Sequence, residues 1–123
     1  MTPNEYQEKA HTFACYEKPV CYHDFGGGQM TSATVAYAYP AMGLAEEAGE
    51  VAGKFAKAIR DEAGTISTER KEAIKKELGD VCWFVAELST LMGLSLEEVM
   101  QHNIDKLTSR KARNVIHGEG DNR

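Results

Sequence analysis

Glu46-Glu47-Ala48-Gly49-Glu50 and Glu77-Leu78-Gly79-Asp80 each set two acids three residues apart inside strongly helical sequence. Residues three apart on an α-helix are surface neighbours, so Glu47 and Glu50 share one face, as do Glu77 and Asp80. Two such helices packed side by side would gather four carboxylates into one small volume. Like charges at that density must protonate, spread into water or bind cations. Ligand sets made of oxygen alone suit Mg²⁺, Mn²⁺ or Ca²⁺ better than zinc. The pattern therefore points to a metal-dependent protein whose target needs hard cations, such as a phosphate ester.

Around this pair of motifs the chain reads as all-α. Thr2, Pro3 and Glu5 carry an N-cap, a first-turn proline and a capping box for a helix from residue 3 to about 16. Residues 17–34, with Pro19 and Gly26-Gly27-Gly28, read as a long loop suited to a lid or a substrate-contact segment. A second helix is expected from about Ala36 to Glu62, with Leu44, Val51, Phe55 and Ile59 as apolar positions and Gly64 as its stop. Glu47 falls within that stripe, beside Leu44, Val51 and Lys54.

Ser67 caps a third helix running to about Met92, and Ile74, Leu78, Val81, Val85, Leu88 and Met92 give it a helical period. Glu77, Asp80, Phe84 and Glu87 form the adjacent stripe, and Cys82 is expected in the core. Gly93 ends this helix. Ser95 opens a fourth, to about Arg113, ahead of a polar, glycine-rich tail over residues 114–123. The expected architecture is a short bundle of four main helices in one domain, residues 1–123.

Composition narrows the function. The 123 residues carry 14 Lys and Arg against 19 Asp and Glu, a formal charge of −5. That balance argues against binding a nucleic-acid polymer through its backbone, which calls for a basic surface. Without an 18-residue apolar run there is no expected membrane partner, and a cytoplasmic location is expected. Three cysteines without a Cys-x-x-Cys pair make a disulfide framework improbable, and His11, Cys15, Cys21 and His23 match no usual zinc spacing. Glu8-x-x-His11 has the spacing used in di-iron bundles, but one copy stands where two are needed.

A single Glu-x-x-Glu most often coats a solvated face; doubling and the glycines inside both motifs, Gly49 and Gly79, favour a site. Glycine costs a helix about 1 kcal/mol and would let a backbone or ligand approach closely. Glu46 stands four residues before Glu50, where it can add an auxiliary oxygen or favour the helix dipole. On the fourth helix Asn103, Lys106 and Arg110 share a polar, cationic face able to take phosphate oxygens, or simply to be solvated.

Taken together, the Glu-x-x-Glu pair, a 26-residue interval, the Glu-x-x-Asp pair, Asn103-Ile104-Asp105-Lys106-Leu107 followed by Arg110, and the Gly118-to-Arg123 ending resemble the MazG-like nucleoside triphosphate pyrophosphohydrolases. The resemblance covers most of the chain. It implies that Glu47, Glu50, Glu77 and Asp80 bind Mg²⁺, with Mn²⁺ as a substitute, and that Asn103, Lys106 and Arg110 contact the substrate. It further implies hydrolysis of an NTP or dNTP to the monophosphate and pyrophosphate, and assembly as a homodimer or a dimer of dimers. Glu47 or Glu50 is the expected group for polarising the attacking water. A non-catalytic nucleotide sensor or partner-binding protein on the same fold is the alternative. Residues 17–34 carry no legible base-recognition motif.

Overall fold

A computed structural model describes residues 1–15 and 32–120; expectations for the loop, and for Cys21 and His23, fall outside these residues, apart from the loop's last few positions. Four helices follow in order: α1 (Pro3–His11), α2 (Ser32–Glu62), α3 (Thr68–Leu91) and α4 (Leu96–Ala112). No strand occurs among the described residues, so the all-α expectation holds. No single helix among them is long and apolar enough to cross a membrane.

The helix ends follow their local chemistry. Thr2 Oγ1 accepts from the Glu5 amide at 3.2 Å while Glu5 Oε2 accepts from the Thr2 amide at 2.7 Å, closing the expected capping box. Ser67 and Ser95 cap α3 and α4 by accepting from the Arg70 and Glu98 amides. Gly93, at φ +67°, takes the left-handed conformation just past the C-cap of α3. Two boundaries differ from expectation. α1 stops at His11, not near residue 16, because the Thr12 hydroxyl turns back onto the Lys9 carbonyl and the chain tightens into i→i+3 bonds at Thr12, Phe13 and Ala14. α2 begins at Ser32, ahead of the expected Ala36, so it takes in the last positions assigned to the loop; Pro40 lies inside the helix, fully buried.

α2 and α3 form the principal pair, and α1 packs along α3. α4 leaves α3 at a bend of 106° and, among the described residues, packs on α1 and α3 and not on α2. Where α2 crosses α3, Gly43 is buried against the Phe84 ring so closely that an added methyl group would overlap it. Phe84 also meets Trp83 edge-on at 4.8 Å and Tyr39 at 6.4 Å. Among the described residues, then, the close-packed glycine is Gly43; Gly49 and Gly79, expected to admit a neighbour, face open space.

The α1 contact is clamped by polar groups. Asn4 Oδ1 accepts from Ser95 Oγ and the Glu97 amide, while Gln7 donates to Thr90 Oγ1 and the Leu94 carbonyl and accepts from the Leu96 amide. Trp83 Nε1 donates to the Ala10 carbonyl at 3.0 Å. Beneath these bonds Ala10, Ala86 and Leu96 form a small core with Tyr6, Trp83 and Val85 against it. Cys82, expected inside, is exposed: it borders a 440 Å³ apolar groove lined with Tyr6, Val81, Val85 and Met100. The expected α3 stripe is also only partly covered, for Ile74 is buried while Leu78 and Met92 are exposed.

Candidate metal centre

The α2–α3 pairing decides which acids meet. One carboxylate oxygen each from Glu47, Glu77 and Asp80 can be chosen so that all three lie within 4.8 Å of one another. Glu47 and Glu77 are partly buried and Asp80 is exposed. Glu50, one turn beyond Glu47, and Glu46 are both exposed and stand outside the trio. The donors are all carboxylate oxygens, a set that fits a hard divalent cation.

Electrostatics bear out the crowding. The Glu47 carboxyl is pushed above its usual range, first by desolvation and then by the negative charges of Asp80, Glu50, Glu46 and Glu77. Glu77 is met differently: Lys54 Nζ lies 2.7 Å from Glu77 Oε1 in a pair with little exposure on either side. That contact and the nearby acids raise the Lys54 ammonium above its ordinary value, although some desolvation opposes the shift. The Lys54 backbone is anchored in turn, since its carbonyl accepts from Arg70 Nη1 at 3.1 Å and the Arg70 guanidinium is paired with Glu62. Behind α3, the Tyr6 phenol is raised by burial first, then by the Cys82 thiol and the Asp80 carboxylate.

The remaining expected site residues lie elsewhere. Asn103 is exposed and Lys106 partly exposed on α4, a helix that does not touch α2. Arg110 is 5% exposed and its Nη2 donates to the Gly120 carbonyl at 3.1 Å, tying the described part of the tail to α4. His11 faces Glu87, not Glu8: its Nδ1 lies 3.1 and 3.2 Å from the two Glu87 oxygens.

Lys54 belongs to the site without having been singled out for it. Its place four residues after Glu50 and seven after Glu47 puts it on the same face, which was the available signal. Tyr6 had none, because its proximity to Asp80 depends on how α1 docks.

The MazG nucleotide pyrophosphohydrolase domain matches residues 39–115, a stretch that holds both acidic motifs and all of α4. The chain belongs to this MazG family. A relative of the MazG chain is the Gene 37 protein of Mycobacterium phage L5, 49% identical over 85 residues, which covers 69% of this chain and 75% of the phage protein. No solved structure matches.

Proposed function

We propose that this MazG-family chain is a cytoplasmic, Mg²⁺-dependent enzyme that hydrolyses a nucleoside or deoxynucleoside triphosphate to the monophosphate and pyrophosphate, clearing nucleotides from the pool. The observation that carries this reading is the convergence of Glu47, Glu77 and Asp80 from two helices inside the matched segment. These three, with Glu50 beside them, would hold Mg²⁺ or Mn²⁺. The bound cation would draw charge from the phosphate oxygens and fix the phosphate chain for in-line attack.

The protein's own groups have distinct tasks. Glu47, the acid with the raised proton affinity, is the better of the two candidates for taking the proton from the attacking water. Asn103 and Lys106 would meet phosphate oxygens. Arg110, committed to the Gly120 carbonyl, would keep the tail in place beside them.

A second copy of the chain gives this scheme its missing wall. Among the described residues of one chain α4 does not reach α2, and Leu78, Met92, Ile104 and Leu107 remain exposed. Apolar side chains in such number favour burial against another copy, which supports a homodimer or a dimer of dimers.

Pyrophosphate release from a panel of NTPs and dNTPs, with Mg²⁺ and with EDTA, tests the reading. Monophosphate and pyrophosphate should form with Mg²⁺ and vanish with EDTA. A folded, metal-binding protein that turns over no nucleotide would instead favour the sensor or partner-binding alternative.

A further inference from the structure

We propose that Lys54 is the resident counter-cation of the centre, pairing with Glu77 in the metal-free protein and moving onto the nucleotide's phosphate chain when a divalent cation binds. This rests on the pyrophosphohydrolase reading above and adds a residue to it.

Glu77 takes part in two arrangements at once. Its carboxylate accepts from Lys54 at 2.7 Å and also supplies one corner of the acidic trio. A divalent cation held by Glu47, Glu77 and Asp80 would bring two positive charges close to the Lys54 ammonium, and like charges at that range repel strongly. The pair is also unlike those on the protein's surface. Lys54 and Glu77 side chains are 25% and 15% exposed, whereas Lys75 and Glu72, 3.5 Å apart, are 76% and 63% exposed and well screened by water.

The anchoring of Lys54 determines what can move. Arg70 holds the Lys54 carbonyl, so the backbone is fixed while the flexible four-carbon stem is free to carry its charge to a new acceptor. A triphosphate bound at the acidic trio with a cation would present that acceptor. Metal and nucleotide binding are therefore coupled: the cation alone competes with an internal ammonium, and the cation with its nucleotide brings the group that receives it.

Manganese titration of the metal-free protein, followed by the loss of the free-ion EPR signal, tests the competition without any turnover. Lys54→Gln should bind Mn²⁺ more tightly than the wild type, on the order of three- to tenfold, because the competing charge is gone. Its KM for a nucleotide that the wild type hydrolyses should rise by a comparable factor or more. Wild-type protein offers an independent measurement that does not depend on a variant folding. Acetylation of Lys54 by acetic anhydride, read by mass spectrometry against Lys75, should increase when Mg²⁺ is added and fall again with Mg²⁺ plus a non-hydrolysable triphosphate.

Equal or weaker Mn²⁺ binding by Lys54→Gln, or labelling indifferent to Mg²⁺, overturns the displacement. Tighter Mn²⁺ binding with an unchanged KM overturns the phosphate contact. Failure of the parent reading looks different: Mn²⁺ and labelling respond as expected while no triphosphate is hydrolysed by the wild type.

Discussion

Glu87 and Glu47 both lie at α3 interfaces, one toward α1 and the other toward α3 from α2, and their surroundings are opposite. Glu87 is fully buried yet met by His11, in a contact where Asn4, Gln7 and Trp83 also find hydrogen-bond partners. Glu47 is only half-buried, yet desolvation and then the charges of four other acids raise its proton affinity, and no cation meets it as His11 meets Glu87 among the described contacts. Burial alone does not make a carboxylate costly; lack of a partner does. The α1 contact is built for stability. The α2–α3 face keeps unmatched charge, the kind of local strain that a binding site retains at the expense of stability.

Removing an acid from the crowded face should produce the largest effect on activity and little on folding. Asp80→Asn is expected to lower kcat by about 10³-fold or more, equivalent to about 4 kcal/mol, with melting temperature held or raised. Pyrophosphate release and a thermal melt on the same preparations would show it. Equal losses of both quantities would erase the contrast between the two regions.

On the other side of α3 the order reverses. His11→Ala strips the buried Glu87 of its described partner and should destabilise the protein by about 2–3 kcal/mol in urea unfolding. Turnover at a temperature where the variant is folded should stay close to wild type. Gln7→Ala removes three hydrogen bonds at the same contact and should cost about 1 kcal/mol.

The smallest change in stability carries the most diagnostic sign. Glu47→Gln should abolish turnover yet raise the metal-free melting temperature by about 2–4 °C, since it relieves repulsion. Glu47 has a raised folded pKa, so its favourable contribution is present below the unfolded value and disappears as pH climbs through the folded one. Metal-free wild type should accordingly gain stability on mild acidification from neutral pH, and Glu47→Gln should flatten that gain. Glu62, lowered by its bond to Arg70, behaves oppositely: its contribution is present above about 4.5 and is lost as pH falls through the depressed folded value. Melting curves at several pH values separate the two windows.

Particular residues show why the sequence was readable in some places and not in others. Thr2, Ser67, Ser95 and Gly93 act within four residues of themselves, so helix starts and stops were legible before any packing was known. Thr12 was overlooked because the side-chain bond that ends α1 competes with a helix that its neighbours favour. Cys82 and Leu78 were misjudged for another reason. An apolar period says that a face seeks cover, and not whether α1, α2 or a second chain supplies it.

The all-α architecture and the spacing that puts each pair of acids on one helix face were legible along the chain, because both depend on contacts a turn or two apart. Tertiary structure alone decided that Glu47 joins Glu77 and Asp80 while Glu50 stays outside, that Lys54 reaches Glu77, and that His11 meets Glu87. Those choices depend on how each helix is rotated against its neighbour. That rotation is set by nonlocal packing such as Phe84 against Gly43, which no local pattern encodes.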